Sequence, residues 1–176
     1  MSAAKTLLIC KSVHHQNTAR IAQRMARVLG AVVAAPEDVP YASLNSYDLI
    51  GFGSGVYYGR VHEALSSWLT KLPAHALSSQ PAFLFTTSGL SCLWKLWHAP
   101  FKKELAKKGF DVLGEFHCRG FDSWGPLWLT GGINRRHPDE QELRRAAEFA
   151  DRMQLAMRTQ PAHKSLIEQP VSRAEE

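Results

Sequence analysis

A short, mostly apolar run, Lys5-Thr-Leu-Leu-Ile-Cys10, opens the hydrophobic pattern of the chain. Such runs suit a strand buried on both faces, as in a parallel sheet. The polar stretch Lys11 to Asn17 follows and leads into a helix whose Ile21, Ala22, Met25 and Leu29 share one face. Asn17 or Thr18 can cap that helix, and Gly30 can stop it. Ala31 to Ala35 reads as a weak second strand ended by Pro36. Asp48-Leu-Ile-Gly-Phe-Gly53 reads as a third, its two glycines predicting close packing. A loop, Ser54 to Gly59, precedes a helix with Val61, Leu65, Trp68, Leu69 and Leu72 on one face. Ala82 to Thr87 is a fourth strand, residues 101–108 a third helix closed by Gly109, and Val112 to Cys118 a fifth strand. The last helix opens at Pro138 and Asp139, both favoured in a first turn, and carries an apolar stripe from Leu143 to Met157. Periodicity is lost beyond about Arg158, so 1–158 is expected to be one domain and 159–176 a flexible tail.

Strands alternating with helices read as successive βαβ units with right-handed crossovers. The expected fold is α/β, a three-layer sandwich around a five-stranded parallel sheet of order 2-1-3-4-5. Ligands bind such sheets at the carboxyl ends of strands one and three, where the strand order reverses. The loops after strands one, three, four and five are therefore where function should lie.

Composition narrows the picture. The 176 residues are 45% hydrophobic, enough for one core without disulfides or metal. No apolar run approaches the ~18–20 residues that cross a bilayer, and the start lacks a signal-peptide pattern, so a soluble, cytoplasmic protein is expected. Cys10, Cys92 and Cys118 form no paired framework and read as small buried hydrophobes rather than nucleophiles. The eight histidines show no zinc spacing. The ends of strands one and three, Ile-Cys-Lys and Phe-Gly-Ser, lack the acidic groups that a receiver domain needs.

The first loop carries the clearest chemical signal. It offers backbone N–H groups, Ser12, Asn17 and Thr18 to an anion, with the positive end of a helix dipole behind them. A phosphate monoester is the natural guest, and His14 and His15 could donate further bonds. The alternative is an ordinary helix cap with two exposed histidines. Neither Gly-x-Gly-x-x-Gly nor the Walker loop is present, which argues against a dinucleotide at this turn and against an NTPase. In Gly53-Ser-Gly55-Val-Tyr57-Tyr58-Gly59 a flat aromatic ligand could stack on a tyrosine, worth ~0.5–1.5 kcal/mol beyond buried area. Otherwise a tyrosine there covers the next helix. The loops Thr86-Thr87-Ser88-Gly89 to Trp94 and Gly120-Phe121-Asp122-Ser-Trp124 bring more hydroxyls, backbone donors and indoles to the same edge.

These segments, with the Gly-Gly and His-Pro that complete the run from Gly120 to Pro138, resemble the flavodoxin family over residues 5 to 157, notably small bacterial and archaeal flavodoxin-like proteins. The resemblance implies one FMN, bound noncovalently. Its phosphate would sit on Ser12, His14, His15, Asn17 and Thr18, and its ring between the loops holding Gly55, Tyr57, Tyr58, Thr87, Ser88, Gly89, Trp94, Phe121, Asp122 and Trp124. Electron transfer or flavin-dependent reduction would be the function. Gln16 stands where the family's loop usually has Gly. Family carriers are acidic, whereas this chain has a formal charge of +5, and Lys95 to Lys108 holds five lysines against one glutamate, a net of +4. That balance points away from a general carrier and toward an acidic redox partner protein, NAD(P)H, or weak contact with an anionic membrane, the alternative being a solvated helix face. Nucleic acid is a poor fit, because no reading motif accompanies the basic residues. The Gly53 to His62 stretch also looks like that of quinone-linked protoporphyrinogen dehydrogenases, although their long insertion before the last strand is missing. A binding module of the same fold without FMN is the other alternative.

Overall fold

A computed structural model describes residues 4–13, 15–89, 92–121 and 133–159. His14, Asp122 and Trp124, all expected at the site, lie outside the described residues, as does nearly all of the expected 159–176 tail. The strands are β1 (Thr6–Lys11), β2 (Val32–Ala34), β3 (Leu49–Tyr57), β4 (Arg60–Val61), β5 (Gln80–Ser88) and β6 (Phe110–Arg119). The helices are α1 (Asn17–Leu29), α2 (Glu63–Lys71), α3 (Trp94–Lys108) and α4 (Glu140–Thr159). Five strands pair in parallel in the order β2-β1-β3-β5-β6, the expected 2-1-3-4-5 arrangement. The sixth, β4, is a two-residue antiparallel return on the end of β3. Sequence pattern could not reveal it, because two residues carry no periodicity. Its turn is made by Tyr58 and Gly59, both at positive φ.

Apolar clusters lie on both faces of the sheet. One face sets Phe52, Leu84 and their neighbours against Leu65, Leu69, Phe101 and Leu105 of α2 and α3. The other sets Leu8, Phe83, Phe85 and Phe116 against α1 and α4. Alternating side chains of one strand reach opposite layers, which is why buried parallel strands read as continuous apolar runs. Gly51 and Gly53 meet the packing expectation: a Cβ at either would overlap the rings of Phe83 and Phe85 respectively.

Two boundaries differ from the sequence reading. Helix α3 begins at Trp94, a full seven residues earlier than residues 101–108 suggest, and runs through Pro100. Its first turns bury only His98, so no apolar stripe announces them. At α1 the cap is Gln16 in the left-handed region, without a side-chain bond, whereas Asn17 and Thr18 lie buried in the first turn. Helix α4 starts as the acidic first turn implies. Asp139 Oδ1 accepts the N–H of Glu142 at 2.9 Å, and Glu142 Oε2 accepts the N–H of Asp139 at 3.0 Å, a reciprocal capping box.

A candidate cofactor cleft at the carboxyl edge of the sheet

The loops leaving β1, β5 and β6 are tied to one another at this edge. Asn17 Nδ2 donates to the Phe121 carbonyl at 2.8 Å, and Thr18 and Thr87 share a buried hydroxyl–hydroxyl bond of 2.8 Å. Gly120 N–H donates to the Ser88 carbonyl at 2.9 Å, and Asn134 Nδ2 to the Gly89 carbonyl at 2.8 Å. A Cβ on Gly120 would press on the Asn17 amide, so the close approach of these loops requires glycine there. The His15 and Phe121 rings lie 4.0 Å apart between centroids, joining the first loop to the last from outside. Gly55 pairs with Thr87 across β3 and β5, which brings the β3 end to the same place.

Within this frame one polar atom stands out. Ser12 Oγ is buried and has no hydrogen-bond partner among the described residues. A buried hydroxyl left unpaired costs about 1–3 kcal/mol, so an orphan here marks a place built for a further acceptor or donor. Beside it the first turn of α1 carries no acidic side chain. The leading N–H groups of any helix lack intrahelical acceptors and favour an anion. The first loop thus keeps the donor chemistry of an anion site, but Asn17 and Thr18 serve mainly to fasten the loops rather than to face outward.

The aromatic residues divide differently from expectation. Tyr57 is half-buried, its ring 5.3 Å from His62 at the start of α2 and folded over Gly55. It is the tyrosine that covers the next helix. Tyr58 sits at the turn tip, 79% exposed. Trp94 lies parallel to the His117 ring, 5.9 Å between centroids and 8° between planes, and edge-on to His98 at 5.0 Å.

Those histidines belong to a cluster that sequence reasoning missed. Thr86 Oγ1 bonds His98 Nε2 at 2.7 Å and His117 Nδ1 at 2.9 Å, and Ser88 Oγ bonds His117 Nε2 at 3.2 Å. His98 Nδ1 lies 2.9 Å from Glu115 Oε2, and Lys102 Nζ donates to Glu115 Oε1 at 2.5 Å. The available signal was in β6, where Glu115 and His117 alternate with Phe116 and Cys118, polar groups on the face that α3 covers. Burial holds the His98 pKa below its usual value, only partly opposed by Glu115. Burial pushes Glu115 upward, but the hydrogen bonds from Lys102 and His98 outweigh it, and the carboxyl stays below its ordinary range.

A depressed histidine pKa fixes the sign of one pH effect. The unfolded imidazole titrates near ~6.5 and folded His98 lower, so the unfolded chain binds the extra proton between them. The stability contributed by neutral His98 is complete above ~6.5 and is lost as pH falls toward the folded value. His98→Gln is expected to flatten the loss of unfolding free energy between pH 7.5 and 5.5, measured by urea titration. Equal slopes in the two proteins would mean that His98 is not held neutral.

Of the cysteines, Cys118 is buried, Cys10 half-buried and Cys92 exposed, so the buried reading fails for Cys92, which precedes α3 beyond the sheet. Burial pushes the Cys10 thiol up to about 12 and raises Cys118 as well, which keeps both protonated at neutral pH. No helix among the described residues is long and apolar enough to cross a membrane.

Comparison with known proteins agrees with the topology. A flavodoxin-domain family model matches residues 7–120. An uncharacterised protein of Methanocaldococcus jannaschii is 39% identical over 146 residues, covering 83% of this chain and 95% of that protein. A flavodoxin of Streptococcus pneumoniae TIGR4 superposes with a TM-score of 0.66 at 14% identity, over 87% of this chain and 99% of the other. General stress protein 14 of Treponema denticola, solved in complex with FMN, superposes with a TM-score of 0.61 at 14% identity over the same shares. At such identities the two structural likenesses are likenesses of fold.

Proposed function

This chain belongs to the flavodoxin-domain family, and we propose that it binds one FMN noncovalently at the carboxyl edge and serves electron transfer or flavin-dependent reduction. The observation that carries this reading is the buried Ser12 Oγ, without a partner among the described residues, beside the acid-free first turn of α1. A phosphate monoester would satisfy that hydroxyl and the leading N–H groups together. Asn17 and Thr18 would hold the loop in place through Phe121 and Thr87. His14 and His15 would flank the phosphate. Ser88 and Gly89 at the end of β5, with Gly55, would border the ring. Tyr58, exposed at the turn tip, would stack on it, and Phe121, Asp122 and Trp124 would take the remaining side. Trp94, already packed on His117, would bound the cleft rather than stack. FMN would supply the one- and two-electron chemistry, and the protein the binding, orientation and hydrogen bonds that tune it.

The rim of the cleft supports a partner with an acidic surface. Tyr58, Leu93 and Leu96 are exposed, Leu96 by 67%, and exposed Lys95 and Lys103 share α3 with Leu96. Apolar contacts ringed by cations suit a transient complex in which charge steers the encounter. NAD(P)H as an anionic reductant, or a quinone meeting the Leu93 and Leu96 side chains, would use the same rim.

FMN titration followed by flavin fluorescence tests the cofactor reading. Quenching is expected at one FMN per chain, with riboflavin bound at least ~100-fold more weakly, since two or more charge-assisted bonds of ~1.5–3 kcal/mol would be lost. Equal affinity for riboflavin, or no binding of either, would remove the phosphate site. Reduction of the loaded protein by NADH, NADPH, a quinol or a protein donor then identifies the partner.

A further inference from the structure

The hydrogen bonds around His98 and His117 have a direction, which follows from the ionised end. Glu115, held as a carboxylate by Lys102, can only accept, so His98 donates from Nδ1. Neutral His98 then accepts at Nε2, and Thr86 must donate to it. The Thr86 oxygen in turn accepts the Nδ1 hydrogen of His117, whose Nε2 accepts from Ser88. Every donor in the series points the same way, from the end of β5 toward Glu115. His98 is fully enclosed, Thr86 is buried and His117 nearly so, and the Trp94 ring packs against both imidazoles. Glu115 is the wet end. It lines, with His117, a pocket of about 270 Å³ at the β6 edge, where Arg145, Glu148 and Arg152 of α4 face them. Ser88 is the other end, at the carboxyl edge of the sheet.

From this polarity we infer that Ser88, His117, Thr86, His98 and Glu115 form a proton relay between the carboxyl-edge cleft and the pocket beside β6. One passage moves the Ser88 hydroxyl hydrogen to His117 Nε2 and the His117 Nδ1 hydrogen to Thr86. The Thr86 hydroxyl hydrogen moves to His98 Nε2, and the His98 Nδ1 hydrogen to Glu115. Four bonds to hydrogen break and four form. A proton from the cleft restores Ser88, and Glu115 releases one to water in the pocket, where Lys102, Arg145 and Arg152 favour its return to carboxylate. No electrons travel this route. After a passage each imidazole carries its hydrogen on the other nitrogen, so the series carries one proton outward and both rings must return to the Nδ1–H form before it carries the next. The inference rests on the flavin reading for the source of the cleft-side proton: a reduced flavin oxidised by an electron-accepting protein sheds protons while its electrons go to the acceptor. A relay gives those protons a path that does not cross the docked face.

The test begins on the full chain without added cofactor, so that it stands apart from the flavin reading. Nitrogen-15 NMR of the imidazoles at pH 7.5 is expected to show both His98 and His117 protonated on Nδ1. An Nε2–H tautomer on either ring would overturn the relay. Exchange of the His117 Nδ1 hydrogen with deuterated solvent is expected to slow at least tenfold in Glu115→Gln, whose amide oxygen still accepts from His98 but takes no proton. Glu115→Asp should restore exchange, and Thr86→Val should slow it as Glu115→Gln does. Exchange unchanged in both Glu115→Gln and Thr86→Val would also overturn it. In the FMN-loaded protein, proton release on oxidation, followed with an indicator dye in stopped flow, should slow at least tenfold in Thr86→Val with FMN affinity within twofold of the parent. Release at the parent rate would refute the relay. If FMN does not bind at all, the cofactor reading fails, and the tautomer and exchange results decide the relay by themselves.

Discussion

Ser12→Ala is expected to raise the stability of the ligand-free protein slightly while weakening FMN binding about 10–150-fold. The two signs come from one atom. In the free chain Ser12 Oγ is buried without a partner among the described residues, so removing it deletes a polar group that has lost water and gained nothing from them. With a phosphate in the first loop the same hydroxyl would make a hydrogen bond to a charged oxygen, worth ~1.5–3 kcal/mol. Thermal unfolding of the free protein and fluorescence titration with FMN measure the two halves separately. An alanine variant that loses stability yet binds FMN as before would place the phosphate elsewhere. Asn17→Ala makes a useful contrast. It breaks the tie to Phe121, so it should lower stability as well as affinity.

Gly109→Ala should destabilise the fold by ~2–5 kcal/mol. Gly109 ends α3 at φ +93°, in the left-handed region, and its N–H donates back to Ala106 and Leu105. A side chain in that region costs ~1–2 kcal/mol. The segment leading into β5 is strapped across the same turn. His75 N–H donates to Lys107, Leu77 N–H to Lys108 and Gln80 N–H to Gly109 itself. A Cβ would overlap the Leu77 carbonyl, which is backbone held by those bonds and has nowhere to retreat. Overpacking of this kind adds ~1–3 kcal/mol. At ~2–4 °C per kcal/mol for a domain of this size, the melting temperature should fall by roughly 5–20 °C. Gly30→Ala is the control. Its φ is +62°, but no atom lies within 4 Å of the added methyl, so only the conformational part should appear. Equal losses at the two positions would mean that the Leu77 contact is soft.

The parts of this molecule legible in the sequence are those written as repeats. Buried strands announced themselves as apolar runs and α1 as a stripe from Ile21 to Leu29, and alternation then fixed the sheet order. Elements too short or too irregular to repeat were not legible. The β4 return has two residues, and the first turns of α3 combine exposed lysine and leucine with an internal Pro100. At the cleft, residue types pointed to an anion site, but whether a given polar group faces the guest or the protein depends on partners far along the chain. Asn17 meets Phe121, 104 residues away, and Thr18 meets Thr87, 69 away. The histidine cluster was hidden for the same reason. His98, Glu115 and His117 are unremarkable singly and become a system only when α3 lies across β5 and β6.

The loop ties at the carboxyl edge also bear on how a guest would arrive. Bonds among the turns around Asn17, Thr18, Ser88, Gly89 and Gly120 join groups of the protein directly. Ordering these backbone segments is thus part of the cost of folding. An incoming mononucleotide would not bear it again, and its affinity escapes the reduction that a sparsely populated competent state imposes.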